Sequence, residues 1–250
     1  MNYKFLGNAL DLFKYDLIIQ LCNELNISLF YIPMLTKPEP KKRDPKYALY
    51  EIGSKNQKLY EFLRSANEDN SACQITDIIE YLKDEVLTVQ WITQDYNLSD
   101  AGLYVHGCGS LFTGERSDRT KYFNQVYDIL GQTQGEKLIF LDPDVGIDTG
   151  QTQRYRKAPR LYFTLPELQA ILKQRKEGDI VCFFQHLGNP YKSLEQKIEE
   201  LNLTSGIKFA AIRYKRISMA MVFAGESSIS MAATTLRTYA TMYNADILTS

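Results

Sequence analysis

The segment Lys137–Gly146, KLIFLDPDVG, decides the fold class of this chain. Its apolar residues Leu138–Leu141 form a continuous run, which is typical of a parallel strand buried on both faces. The run leads directly into Asp142-Pro143-Asp144, which we call the DPD turn. Open α/β sheets bind ligands at the carboxyl ends of their strands. We therefore expect a functional site at the DPD turn.

Apolar strand segments alternate with amphipathic helices along the rest of the chain. Strands are predicted at Ile27–Leu35, Glu85–Ile92, Leu103–His106 and Asp179–Gln185, with a closing hairpin of Lys208–Arg213 and Ser218–Phe223. Helices are predicted at Leu10–Leu25, Leu59–Arg64, Ile75–Leu82, Tyr122–Leu130, Leu165–Arg175, Ser193–Leu201 and Thr234–Tyr243, and a polar loop at Gly146–Pro159. This order predicts an α/β fold with a doubly wound, mostly parallel sheet. The closing hairpin is typical of methyltransferase-like, Rossmann-like folds.

Length and composition favour a single domain. The chain has 250 residues, of which 44% are hydrophobic, and this is enough for one large core. A segment rich in Pro and Lys, Thr36–Pro45, interrupts the pattern after the first strand. We interpret the stretch at about 37–84 as a small helical insertion, because it is too poor in apolar residues to fold alone.

Charge and cysteine content narrow the functional classes. The formal net charge of -1 means that contacts to nucleic acid would need local basic patches. The four cysteines lack CxxC spacing, which indicates reduced thiols rather than a zinc site. No apolar run approaches the roughly 20 residues of a membrane span, and the first residues lack a signal-peptide core. The predicted location is cytoplasmic, away from membranes.

The two carboxylates of the DPD turn, Asp142 and Asp144, are the first candidate catalytic residues. They could accept a proton or hydrogen bond from a substrate amino group, or they could hold Mg²⁺ through oxygen ligands. A purely structural turn is the alternative, since Asp and Pro are common turn residues. His186 and Gln185 end the next predicted strand, so His186 is a candidate base or ligand if the two strands are neighbours. A capping histidine is the alternative for His186.

A run of basic residues follows the acidic turn. Its members are Arg154, Arg156, Lys157 and Arg160. Guanidinium and ammonium groups beside an acidic centre suit a phosphate-bearing substrate such as nucleic acid or a nucleotide. A solvated loop is the alternative for such a run.

The amino-terminal segment YKFLGNALDLFKY, Tyr3–Tyr15, resembles the opening of the bacterial 23S rRNA adenine-N6 methyltransferase family. Gly7, Asn8, Asp11 and Lys14 match that family, and Tyr15 replaces its histidine. The family's Asp-Pro-Pro-Tyr turn aligns with Asp142–Val145. The chain resembles still more closely a set of uncharacterised bacterial proteins with an Asp-Pro-Asp turn and a strand that ends in Gln-His.

The resemblance implies an S-adenosylmethionine site under the amino-terminal segment. Its cofactor-binding residues would be Gly7, Asn8, Asp11 and Lys14, with Asp95 on a ribose. Asp142 would orient the amino group, and Gln185 and the basic run would contact the substrate. The chain departs from the family where Asp144 and Val145 replace Pro and the base-stacking aromatic. It departs again at Tyr31–Thr36, which has no glycine, so the cofactor loop is degenerate.

Three functional hypotheses follow from these patterns. The first is an S-adenosylmethionine-dependent methyltransferase-like protein that acts on an amino group of nucleic acid. The second is a phosphodiester- or nucleotide-processing enzyme on the same scaffold, with Mg²⁺ held by Asp142 and Asp144 near His186. The third is a non-catalytic relative that serves as a binding or regulatory module.

Overall fold

The fold is a mixed α/β architecture built on one central sheet. The computed structural model describes residues 9–34, 53–68, 75–86, 88–91, 116–148, 162–186, 194–214 and 219–249. Its strands are β1 Ser28–Pro33, β2 Val89–Trp91, β3 Lys137–Asp142, β4 Gly146–Asp148, β5 Tyr162–Thr164, β6 Ile180–His186, β7 Phe209–Arg213, β8 Met219–Ala224 and β9 Asp246–Thr249. Its helices are α1 Ala9–Leu25, α2 Gln57–Glu68, α3 Ile75–Glu85, α4 Arg116–Gln132, α5 Leu165–Gln174, α6 Leu194–Ser205 and α7 Glu226–Tyr243.

The central sheet has seven strands in the order β2-β1-β3-β6-β8-β7-β9. Strands β2, β1, β3 and β6 are parallel, and β8 is antiparallel to both β6 and β7. Strand β7 therefore shares the direction of the first four. The predicted mixed α/β class, the largely parallel direction and the closing hairpin β7–β8 are confirmed. A separate pair, β4 and β5, forms a small parallel sheet.

Side chains alternate between two cores along each central strand. In β3, Leu138 and Phe140 belong to one core, and Ile139 and Leu141 belong to the other. Helices α1, α2, α3 and α7 cover the first core, and α4, α5 and α6 cover the second. The apolar run Leu138–Leu141 is thus buried on both faces of the sheet.

Several predicted boundaries were wrong or incomplete. Strand β2 begins at Val89, because Glu85 still belongs to helix α3. The polar loop predicted from Gly146 begins as strand β4, which pairs with the unpredicted strand β5. Strand β9 was also missed, since Asp246–Thr249 is too short and too polar at its start to signal a strand. The strand predicted at Leu103–His106 lies outside the described residues.

The helices of the predicted insertion pack onto the main core. Leu59 and Leu63 of α2 and Ile78 and Ile79 of α3 are buried in the same cluster as α1. The limits of the insertion at about 37–84 remain a prediction, because residues 35–52 lie outside the described part of the chain. Within that part, no helix is both long and apolar enough to cross a bilayer.

A buried ion pair joins the amino-terminal ends of β3 and β6. The Lys137 ammonium lies 3.1 Å from Asp179 Oδ1, and neither side chain is more than 1% exposed. The backbone N–H groups of Lys137 and Lys176 also donate to the Asp179 carboxylate, at 3.1 and 2.8 Å. The Asp179 carboxylate therefore forms an ion pair with a buried ammonium and accepts hydrogen bonds from two backbone N–H groups.

We predict that Asp179→Asn is destabilised by about 3–5 kcal/mol, because it leaves the Lys137 charge buried without a counter-ion. The free energy of unfolding in urea measures this. The double variant Lys137→Met/Asp179→Asn should recover part of the loss, because it removes the unpaired ammonium while the Asn side-chain oxygen can still accept from the backbone. An Asp179→Asn protein within about 1 kcal/mol of wild type would contradict this account.

Candidate functional site

The DPD turn lies at the switch point of the sheet. Strand β2, the next after β1 in the chain, lies on one side of β1, and β3 lies on the other side. The order of the strands therefore reverses direction between β1 and β3. The register pairs Pro33 of β1 with Asp142 of β3. The carboxyl ends of these two strands therefore meet, and crevices of this kind bind ligands in open α/β sheets. The structure places Asp142 at the position that the sequence predicted for a site.

Asp142 is buried and is held by a lysine from helix α1. The Lys14 ammonium lies 2.8 Å from Asp142 Oδ2 and 2.7 Å from Asp11 Oδ1. Asp11 and Lys14 are one helical turn apart, so both reach the same point above the strand end. The fold thus brings together Asp11, Lys14 and Asp142, which the sequence assigned separately to cofactor binding and catalysis.

Two carboxylates determine the protonation of Lys14. Burial alone would lower the pKa of its ammonium, but the charges of Asp11 and Asp142 raise that pKa well above its usual value. A raised pKa in the folded state means that the stabilisation is complete below the unfolded-state pKa of about 10.4. It is lost only as the pH rises beyond that value. Lys14 therefore remains a fixed positive charge at neutral pH.

Two tyrosines extend the network. The Tyr31 hydroxyl donates to Asp142 Oδ2 at 2.7 Å, and the hydroxyls of Tyr15 and Tyr31 are 3.0 Å apart. Because Tyr31 gives its proton to Asp142, Tyr15 is the donor to Tyr31. Burial raises the pKa values of both phenols well above the usual value. The Asp142 charge raises both further, while the Lys14 charge opposes the rise for Tyr15, and both phenols keep their protons. Tyr15 stands where the resembling family has histidine.

Tyr31 was missed because an aromatic residue in an apolar strand is typical of core packing. Its ring does stack on Phe140, with centroids 5.4 Å apart. The available signal was its position two residues before the end of β1, on the same face as the strand terminus. Only the pairing of β1 with β3 makes its hydroxyl a neighbour of Asp142.

Gln185 holds the backbone that follows the DPD turn. Its side chain accepts from Ile147 N at 3.0 Å and donates to the carbonyls of Val145 and His186 at 3.0 and 2.7 Å. The residue is fully buried. Gln185 therefore positions the turn, whereas the sequence predicted that it would contact substrate.

Asp144, within the DPD turn, and His186, beside it, are both half-buried. The backbone N–H of His186 donates to the Val145 carbonyl at 2.6 Å. The register pairs Leu141 with Phe183, so His186 extends beyond the residue level with Asp142. His186 is thus adjacent to the turn, while the contacts of the Asp142 carboxylate come from Lys14 and Tyr31. The catalytic roles predicted for Asp144 and His186 stay predictions.

The small sheet anchors both ends of the segment that carries the basic run. Gly146 pairs with Tyr162 and Asp148 with Thr164. Arg119 forms an ion pair with Glu167 and donates to the Tyr162 carbonyl at 3.0 Å. The remaining predicted residues lie outside the described residues: Gly7, Asn8, Asp95, Arg154, Arg156, Lys157 and Arg160. Within the described part, no group of three or more His, Cys, Asp or Glu side chains could hold a metal ion.

Comparisons with known proteins leave the family open. No protein-family model and no curated protein matches the chain. Among solved structures, the chain is similar to a Legionella pneumophila (strain Philadelphia 1) protein described by the family model DUF519. The two share 12% identity over 98% of each chain, with a TM-score of 0.49. A likeness at that identity and TM-score supports no conclusion about activity.

We predict that Lys14→Met loses about 3–5 kcal/mol of unfolding free energy at neutral pH, because two buried carboxylates lose their counter-ion. Urea unfolding at neutral pH measures this loss. Lys58→Met removes an ammonium that is 67% exposed and paired with Glu85, and should change stability by less than about 1 kcal/mol. Equal losses for the two variants would contradict the proposed role of Lys14.

We also predict that Gly146→Ala is destabilised by about 2–4 kcal/mol. Gly146 has a φ of +125°, which strains an L residue, and its new methyl group would overlap the Gln185 amide. Gly206 is the matched control, since its φ is +67° and a methyl group there meets nothing within 4 Å. Thermal unfolding of both alanine variants separates strain from overlap, and a Gly206→Ala loss as large as that of Gly146→Ala would refute the overlap.

Proposed function

We propose that this protein is an S-adenosylmethionine-dependent methyltransferase-like enzyme that acts on an amino group of nucleic acid. The single observation that carries the proposal is the placement of Asp142. This carboxylate is buried at the carboxyl end of β3, at the switch point of the sheet, and is oriented by Lys14 and Tyr31. A fixed carboxylate in that position can accept a hydrogen bond from an amino group.

The charge of the cluster favours a ligand with N–H donors or a positive charge. Two carboxyl groups, Asp11 and Asp142, share the one ammonium of Lys14 within the described part of the site. Both hydrogen bonds that the Asp142 carboxylate receives from the described residues reach Oδ2, from Lys14 and from Tyr31. A carboxylate fixed through one oxygen can present its other oxygen to a ligand. The cluster therefore fits an amino group or a sulfonium cation.

S-adenosylmethionine would supply the methyl group, carried on a positively charged sulphur. Asp11 and Lys14, on the helix that crosses the strand ends, are the described residues that would adjoin it. The sheet supports this reading, because a closing antiparallel hairpin is typical of class I methyltransferase-like folds. We further propose that the helices and sheet of this chain have the doubly wound arrangement of that class. The basic run after the DPD turn would contact phosphate groups of the nucleic acid.

Lys14 favours this function over the Mg²⁺-dependent alternative. Its ammonium lies 2.8 Å from Asp142 Oδ2, where a divalent cation bound by Asp142 would meet a fixed positive charge. The two functions predict different behaviour for Asp144. A metal-dependent enzyme needs Asp144 as a ligand, whereas an amino-group methyltransferase does not need it.

We predict that the wild-type protein binds S-adenosylmethionine and S-adenosylhomocysteine and transfers labelled methyl groups to RNA or DNA. Asp142→Asn should reduce methyl transfer by about 10²-fold or more, because it replaces the charged carboxylate that orients the amino group with a neutral amide. Isothermal calorimetry measures cofactor binding, and incorporation of tritium from labelled cofactor measures transfer. Glu226→Gln is the matched control, since Glu226 is exposed and pairs with Lys208 on another part of the surface.

Three outcomes discriminate the hypotheses. Folded wild-type protein that binds neither compound at saturating concentration would refute the methyltransferase proposal. Nuclease or nucleotidase activity that EDTA abolishes, and that Asp144→Asn removes, would establish the metal-dependent alternative. A nucleic acid or protein partner that binds wild type and Asp142→Asn equally, with no methyl transfer, would identify a non-catalytic binding module.

A further inference from the structure

A second polar cluster lies within the core beneath helix α1, away from the Asp142 network. Its centre is Asp16, which is 1% exposed. Around it are Tyr81 of α3 and Tyr239 and Tyr243 of α7, with Asn56 just before α2. The rings of Tyr239 and Tyr243 are one helical turn apart, with centroids separated by 4.8 Å. Four segments thus bring oxygen atoms to one buried point.

Most of these oxygen atoms have no hydrogen-bond partner among the described residues. Both carboxylate oxygens of Asp16 are unsatisfied, as are the hydroxyls of Tyr81 and Tyr239. The Gln20 Oε1 atom is unsatisfied too, and Gln20 shares a helix face with Asp16 because the two are four residues apart. Burial raises the pKa of the Asp16 carboxylate, and the neighbouring Tyr239, Asn56 and Tyr243 lower it in part.

An unsatisfied buried carboxylate is costly. Leaving a charge in the interior without a counter-ion destabilises a fold by several kcal/mol, and natural interiors pair or coordinate such groups. Within the described part of the chain, neither a lysine nor an arginine forms an ion pair with Asp16. The ammonium groups of Lys55 and Lys58 lie over the rings of Tyr243 and Tyr81 at 5.6 and 5.8 Å.

The available ligand atoms are all oxygens, and only one group carries a charge. Carboxylate, amide and phenol oxygens suit hard cations rather than soft ones. Divalent Ca²⁺ and Mg²⁺ are usually held by several carboxylates or retain many waters. A single carboxylate balances the charge of one monovalent ion. We therefore propose that the cluster formed by Asp16, Gln20, Tyr81 and Tyr239 binds a small monovalent cation, sodium or potassium, and thereby fixes helix α1 against α3 and α7.

The test compares thermal unfolding of the full chain in three cations at one ionic strength. The buffer cation is tetramethylammonium, which is too large for the cluster, and sodium or potassium replaces it stepwise. Wild type should show a saturable rise of the unfolding midpoint by about 2–4 °C once the ion exceeds its dissociation constant several-fold. A parallel titration replaces tetramethylammonium with Mg²⁺ or Ca²⁺. Identical midpoints in tetramethylammonium, sodium and potassium, or a rise in the parallel titration only, would overturn the proposal.

Variants link the effect to the cluster. Asp16→Asn keeps the shape of the side chain and should abolish the response to sodium and potassium. Tyr239→Phe keeps the ring, removes one ligand oxygen and should weaken the response, which maintains the test if Asp16→Asn fails to fold. Glu80→Gln is the control, because it removes an exposed carboxylate from α3 and should leave the response unchanged. A full response in both Asp16→Asn and Tyr239→Phe would also overturn the proposal.

The pH dependence supplies an independent readout. Burial raises the pKa of Asp16 to about 6, above an unfolded value of about 3.9. In tetramethylammonium the folded protein therefore binds the proton more tightly, and stability rises as the pH falls through 6. Among the described residues, the titratable groups whose pKa values respond to the Asp16 charge are Tyr81, Tyr239 and Tyr243, which keep their protons because burial raises those pKa values. Sodium or potassium should compete with the proton, so their effect should fade below pH 6, and a pH-independent response would contradict binding at Asp16.

Discussion

One buried ammonium ties the amino-terminal helix to the centre of the sheet. Lys14 contacts a carboxylate on its own helix, Asp11, and another at the end of β3, Asp142. The pair with Asp142 joins residues 128 positions apart in the sequence. Because neither group reaches water, each depends on the other for its charged state. The orientation of α1 over the strand ends therefore follows from a requirement for charge neutralisation in the interior.

The DPD turn depends on a second constraint, the backbone bonds made by Gln185. A buried amide has both donors and an acceptor, so one side chain can satisfy three backbone groups at once. These bonds fix the path of Val145–Ile147 beside the end of β6. The left-handed conformation of Gly146 then lets the chain turn into strand β4. Asp142 is thus held from above by α1 and the residues after it are held from the side by β6.

Helix α1 separates two polar clusters of different character. Lys14 and Tyr15 reach the strand ends, where carboxylates, an ammonium and phenols satisfy one another. Asp16 faces α3 and α7, where oxygen atoms predominate and several lack partners. Consecutive residues of a helix project about 100° apart, so Lys14 and Tyr15 can face one cluster while Asp16 faces the other. A ligand at either cluster would restrain the same helix.

The hydrophobic pattern of the sequence determined the fold class. The apolar runs of β1, β3 and β6, the amphipathic helices between them and the closing hairpin are local signals, since burial on one or two faces imposes a recognisable period. The position of the candidate site was also predictable, because an acidic residue at the carboxyl end of a buried strand lies where the chain leaves the sheet. Asp11 and Lys14 were identified by resemblance, although their contacts were not.

Tertiary structure alone decided which contacts those residues make. The pairing of Pro33 with Asp142 brings the Tyr31 hydroxyl to the Asp142 carboxylate. The sequence of either strand alone does not specify this register. The short strands β4, β5 and β9 exist because neighbouring backbone offers them partners, and three or four residues carry too little pattern to predict them. The hydrogen bonds from Gln185 to the backbone after the DPD turn, and the burial of Asp16, likewise depend on contacts between distant segments. The sequence by itself determined the order of the main buried strands and helices, whereas pairing across the fold decided which polar groups meet, because such contacts join residues far apart in the chain.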